Sequence, residues 1–200
     1  MSLETRKLEL SVKNAIGIVL YCIFLELIIG IVSKYLYTNQ SNLVIESLIS
    51  LTKEIIGKTL VLWLIFREIR TKYNSEFRLG IVGTFDFKLL ITVFLLTIGF
   101  YFSYNNSIGI LAEKIPVGKI FTDLIQAMKL DFKRNPYPLL GTAIIIAPIF
   151  EEIIVRSILL EGFLGKYHPF KSIVISSLFF GTIHLNGPQF FGAFFGGLIL

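Results

Sequence analysis

A chain of 200 residues allows about one domain, and this one is 54% hydrophobic with a net charge of +5. An ordinary soluble domain is about 45–50% apolar; here the apolar residues also fall in long blocks with most charges between them. The basic groups Thr5-Arg6-Lys7, Arg67 to Lys72 and Lys133-Arg134 abut those blocks, the pattern of juxtamembrane loops rather than of a nucleic-acid surface, so no nucleic-acid partner is expected. The one cysteine, Cys22, excludes an intramolecular disulfide and a cysteine metal cluster.

A membrane-spanning helix needs about 20 mostly apolar residues. The first block runs roughly from Asn14 to Val32 and holds Glu26 and Cys22. It is longer than a signal-peptide core and no small-residue cleavage site follows, so it reads as a retained anchor. The second runs roughly from Leu43 to Phe66. Its first half carries Glu46, Lys53, Glu54 and Lys58, and Lys53, Glu54 and Lys58 are expected to face protein or water rather than lipid. The third runs from Phe87 to Tyr104. From Ser107 to Leu130 apolar periodicity is mixed with Glu113, Lys114, Pro116, Lys119 and Asp123, which predicts an amphipathic helix lying in the membrane interface.

The fourth block, Pro138 to Leu160, contains Glu151, Glu152 and Arg156; the fifth, Ser172 to Leu185, contains His184; the sixth starts after Pro188 and is still apolar at Leu200. The expected fold is therefore all-α, a polytopic transmembrane helix bundle of about six spans. Gly192 and Gly196, four apart, predict a close helix-packing face, and Pro148 predicts a loosened helix before the acids. Lysine and arginine counts place the N-terminus (Arg6, Lys7, Lys13) and the second loop (Arg67, Arg70, Lys72, Arg78, Lys88) in the cytoplasm, with Lys34 alone in the first loop. The third loop, with Lys114, Lys119, Lys129, Lys133 and Arg134, runs against that rule.

Two adjacent acids in an apolar span carry the chemistry. Each ionisable group near a bilayer centre costs about 2.5–3.5 kcal/mol on insertion scales and defaults to function with a partner nearby. Glu152 and Arg156, four apart, share a helix face and can pair. Glu151 points about 100° away and is left without a local cation, as suits a carboxylate that takes a proton from water. The competing reading is a buried ion cluster that fixes packing. His184 is the only histidine in an apolar block, with Phe180 one turn before it; the bland alternative is a core histidine bonded to a backbone carbonyl. With a short loop between blocks four and five, Glu151 lies about 15 Å and His184 about 20 Å deep, at about 1.5 Å per residue. The two could then share one water. His168, beside Pro169, reads as solvated and incidental. No His-Glu-x-x-His, Gly-x-Ser-x-Gly, phosphate loop or dinucleotide glycine pattern is present.

At these residues the chain resembles the CAAX-protease and bacteriocin-processing (CPBP) family, also called Abi or type II CAAX endopeptidases. Its first motif, Glu-Glu-x-x-x-Arg, is met by Glu151, Glu152 and Arg156, and its second, Phe-x-x-x-His, by Phe180 and His184. The resemblance divides the chain into N-terminal transmembrane helices with the amphipathic segment, 1–136, and a catalytic core, 137–200. It implies an intramembrane endopeptidase of the cell membrane in which Glu151 and His184 activate water, while Glu152, Arg156 and Phe180 support the site. Partners would be the lipid bilayer and a peptide or protein substrate, in bacterial members often in bacteriocin processing or self-immunity. Zinc and metal-free mechanisms are both ascribed to the family; Glu151, Glu152 and His184 are the candidate ligands, and the resemblance leaves the cofactor open. The family's later motif, a second His followed by Asn or Asp, lies beyond the last residue, so the core is expected to lack its C-terminal helix or helices. Alternatives are a non-catalytic immunity or scaffold protein of the same family, or a small transporter with a proton relay, although no repeated halves are visible.

Overall fold

The computed structural model describes residues 8–35, 42–73, 86–184 and 186–199, and all regular structure among them is helical. Helix α1 spans Val12–Tyr35, α2 Leu43–Tyr73, α3 Phe87–Asn105, α4 Ile108–Ala112 and α5 Lys119–Arg134. Of the residues used for topology, Arg6, Lys7 and Arg78 lie outside the described residues.

The helix starts follow from capping chemistry. An Asn, Asp or Ser oxygen accepts one of the N–H groups that a helix N-terminus leaves without a partner. Ser11 Oγ accepts from the Asn14 N–H at 3.2 Å. Asn42 Oδ1 accepts from Val44 at 2.9 Å, and Asp86 Oδ1 from Lys88 at 2.9 Å. The segment from Ser107 to Leu130, expected as one amphipathic helix, is divided into α4 and α5. Residues 113–118 separate them, where Pro116 and Gly118 break the helical run.

From Pro136 to Leu164 the chain is helical without a break, but its winding alternates. Helix α6 (Pro136–Gly141) passes into a π-helical turn, π1 (Thr142–Ile146), then α7 (Ala147–Glu152), a longer π segment, π2 (Ile153–Leu160), and α8 (Glu161–Leu164). At the end of π1 the Ala147 N–H donates to the Thr142 carbonyl, five residues back. Pro148 follows at once. Having no N–H and a ring that clashes with the preceding turn, it disturbs the ladder just there. Two further helices complete the chain, α9 (Pro169–Ile183) and α10 (Gly187–Ile199).

The core lies where α1, α2, π2 with α8, and α9 meet. Leu10, Ala15, Val61, Ile65, Ile69, Ile158, Leu159 and Phe163 are almost completely buried there. The segment before α1 is pinned by the Leu10 N–H, which donates to the Gly162 carbonyl at 2.7 Å. Helix α9 turns Ser172, Ser176 and Ser177 inward, and Ser176 Oγ donates to the Val155 carbonyl of π2 at 3.2 Å. Small side chains of this kind let helices approach closely. The outward faces are apolar instead: Ile16, Leu20, Phe24, Leu27 and Ile31 on α1, and Phe87, Phe94, Leu95, Tyr101 and Phe102 on α3, are exposed. Among the described residues, one helical stretch, Val12–Val32, is by length and composition apolar and long enough to cross a membrane.

Candidate active site

Glu151 stands in α7, one residue before Glu152 and the start of π2. Its half-buried side chain lines a cavity of about 320 Å³. His184, Glu26, Lys58, Cys22 and Phe150 line the same cavity, and the rest of its wall is aliphatic: Val19, Ile23, Leu27, Ile154 and Ile183. A water molecule has about 30 Å³ of liquid volume, so several fit. Among the described residues, no hydrogen bond or ion pair engages the Glu151 carboxylate.

His184 comes from the other side of the hairpin. It was expected inside a span, but α9 ends at Ile183 and α10 begins at Gly187, which puts His184 in the turn between them. The cause is local. Pro188 stands in the first turn of α10, where its missing N–H costs nothing, and Asn186 stitches the turn. Asn186 Nδ2 donates to the His184 carbonyl at 3.2 Å, and its Oδ1 accepts from the Gln189 N–H at 2.9 Å. The His184 backbone N–H donates to the Gly181 carbonyl at 3.2 Å.

The imidazole Nδ1 lies 2.8 Å from the Phe180 carbonyl oxygen. A carbonyl only accepts, so Nδ1 carries the proton and, in the neutral ring, Nε2 is an acceptor. The Phe180 ring meets the imidazole edge to face at 5.2 Å and limits its rotation. His184 also lines a second cavity, of about 440 Å³, with Tyr104, Glu113, Phe180 and Gln189. The ring thus stands between two cavities, one facing Glu151 and one opening toward α3 and α4.

The Glu152–Arg156 contact is loose. Arg156 Nε lies 3.9 Å from Glu152 Oε2, and the Glu152 side chain is 69% exposed. The π2 winding explains this: bonds running five residues back take residues four apart out of the alignment they have in an α-helix. Arg156 makes a different bond, from Nη2 to the Gly197 carbonyl of α10 at 3.2 Å, tying π2 to the last helix.

The sequence did not place Glu26 and Lys58 at the site. Both were visible as charges inside apolar blocks, but no spacing connects α1 and α2 to α7. Lys58 Nζ lies 2.5 Å from Glu26 Oε2, 3.8 Å from Glu54 Oε1 and 4.3 Å from the centroid of the Phe150 ring.

Among the described residues, no group of three or more His, Cys, Asp and Glu is arranged to hold a metal ion. Glu152 turns outward toward Arg156, so of the three candidate ligands only Glu151 and His184 share the cavity. A catalytic zinc site needs three protein ligands, and this donor set does not fit one.

No curated protein and no solved structure matches the chain. Residues 133–200 match the family model described as type II CAAX prenyl endopeptidase Rce1-like. That stretch contains Glu151, Glu152, Arg156, Phe180 and His184, the residues of both motifs, and about a third of the chain is thus similar to the CAAX-protease family of membrane proteases.

Proposed function

We propose that the protein is an intramembrane endopeptidase that hydrolyses peptide bonds in membrane-associated peptides or proteins. Residues 1–136 would supply membrane helices and an interfacial segment, and residues 137–200 the catalytic core, in a multi-pass arrangement of about six spans with the N-terminus in the cytoplasm. Glu151 is the general base: its carboxylate takes a proton from a water in the cavity. His184, with Nε2 open as an acceptor, orients that water, while Glu152, Arg156 and Phe180 support the geometry. Processing of bacteriocin-like peptides, or self-immunity against them, is the substrate context that the family suggests.

One observation carries this reading: Glu151 of α7 and His184 of the turn after α9 line the same small, largely aliphatic cavity. A carboxylate and an imidazole facing one pocket, with space for water beside largely apolar walls, are suited to activating a nucleophile. The test is Glu151→Gln, which keeps shape and loses the base. In protein reconstituted into vesicles with a mixture of internally quenched peptides, cleavage should fall by about 10²–10⁴-fold with thermal unfolding unchanged. Undiminished cleavage by the variant would overturn the proposal.

A further inference from the structure

A lysine ammonium stands on the wall of this cavity, outside the segment that matches the family. Lys58 is the only Lys or Arg among the described residues that line it. Its side chain is 18% exposed. Three contacts fix it: Glu26 at 2.5 Å, Glu54 at 3.8 Å and the face of the Phe150 ring at 4.3 Å. Glu151, the residue assigned as base, lines the same cavity as the ammonium.

An ammonium offers three N–H donors and no acceptor. Glu26 engages one closely, and Glu54 is near the limit of an ion pair. Only the Glu26 contact is a hydrogen bond, since Glu54 at 3.8 Å is beyond hydrogen-bond reach and the ring face adds a non-directional electrostatic attraction. The group is therefore anchored and still able to donate into the cavity.

Peptide hydrolysis needs such a donor at one moment. As the water oxygen bonds to the carbonyl carbon, its proton passes to Glu151, and the C=O π pair moves onto the carbonyl oxygen. That oxygen is now an anion beside largely apolar walls. When the intermediate collapses, the C=O bond re-forms, the C–N bond breaks, and the proton held by Glu151 goes to the leaving nitrogen. A fixed donor aimed at the oxyanion stabilises the intermediate more than the substrate and so raises turnover rather than binding.

We propose that Lys58, anchored by Glu26, is a catalytic residue of this site that donates to the oxyanion formed during peptide hydrolysis. The proposal rests on the hydrolase reading above. The competing account is that Lys58 only neutralises Glu26, and substitution of both members of the pair separates the two.

Wild type, Lys58→Met, Lys58→Arg and the double variant Glu26→Gln/Lys58→Met are reconstituted in vesicles. They are assayed on one internally quenched peptide that wild type cleaves and titrated with the phosphinic isostere of that peptide, a mimic of the tetrahedral intermediate. Lys58→Met should lose about 10²–10³-fold in kcat with KM changed by less than about threefold. Its affinity for the isostere should fall in parallel, and Lys58→Arg should recover part of both. The double variant, which buries no unpaired charge and so survives folding even if Lys58→Met does not, should be as slow as the single one. Restoration of kcat in the double variant would reduce Lys58 to a counter-ion and overturn the assignment. Glu151-dependent cleavage with unchanged kcat in Lys58→Met overturns it too and leaves the hydrolase reading standing. Absence of wild-type cleavage, or cleavage that persists in Glu151→Gln, removes both.

Discussion

A single hydrogen bond, from His184 Nδ1 to the Phe180 carbonyl at 2.8 Å, sets which imidazole nitrogen is available to the cavity. The bond has a structural part and a chemical part, and substitution can divide them. In His184→Asn the side-chain amide nitrogen lies near the place of Nδ1 and can still donate to Phe180, but nothing replaces Nε2. Stability should stay within about 1 kcal/mol of wild type, while cleavage falls by about 10²-fold or more. Thermal unfolding and peptide cleavage measured on the same preparation check both halves; wild-type cleavage in this variant would leave His184 as a turn-forming residue only. At this scale the sequence was informative about which residues are unusual and less so about where they sit. Glu151 and His184 were recognisable as polar groups in apolar blocks. The apolar run from Ser172 to Leu185 hides the turn at His184, although Asn186-Gly187-Pro188 is a plain helix-break signal. Lys58 and Glu26 were equally visible as charges, but their convergence with Glu151 depends on how α1 and α2 pack, which no local spacing encodes.

Between elements, the closest contacts are made by glycines other than the pair expected. A Cβ at Gly192 would lie 3.7 Å from the Tyr104 ring, and one at Gly196 would lie 3.6 Å from the Phe100 ring, both ordinary contacts with α3. One of the tight seams is between α9 and α10. A Cβ at Gly181 would fall 2.8 Å from the Phe190 ring and 2.9 Å from the Phe190 backbone oxygen, and one at Gly197 would lie 3.0 Å from Ser177 Oγ. Four-residue spacing reveals a stripe of small residues but not which neighbouring helix comes closest, and α10 carries Gly192, Gly196 and Gly197 together. Gly181→Ala should therefore cost about 1–3 kcal/mol, since backbone has to move. Gly17→Ala on α1, where a Cβ meets nothing within 4 Å, should be neutral or stabilising by up to about 1 kcal/mol. Unfolding midpoints in one detergent check the contrast, and equal effects would mean that the α9–α10 seam is looser than described. The π windings were also hidden from periodicity. Pro148 announced a disturbance, but widening of the helix over Thr142–Ile146 and again over Ile153–Leu160 reflects where backbone groups find partners, as Val155 does with Ser176.

Over the whole molecule, the apolar residues divide between a small shared core and a broad exposed surface, and that division decides what surrounds the protein. The core joins Leu10 and α1, α2, π2 with α8, and α9, so the helices outside the family match build one wall of the cavity. Its all-helical character and most element positions were legible because block length and charge spacing are strong signals. The number of crossings was not, since α9 has 15 residues, short of the about 20 that a crossing needs. The exposed face of α3 supplies a test whose sign depends on the solvent. Phe94 is 63% exposed there, among Leu95 and Phe102. In water, Phe94→Lys on an exposed surface changes stability by no more than about 0.5 kcal/mol and improves solubility. In a bilayer core the same charge costs about 2.5–3.5 kcal/mol on insertion scales and should lower the amount of protein recovered in membranes. Gln126→Lys on α5, exposed among Thr122, Asp123 and Lys129, serves as the control, since a headgroup surface accepts a cation at little cost. Membrane fractionation of the two variants beside wild type measures the difference. A deficit confined to Phe94→Lys places α3 in lipid, whereas equal recovery of all three in the membrane fraction would mean that its apolar face is covered by something other than acyl chains.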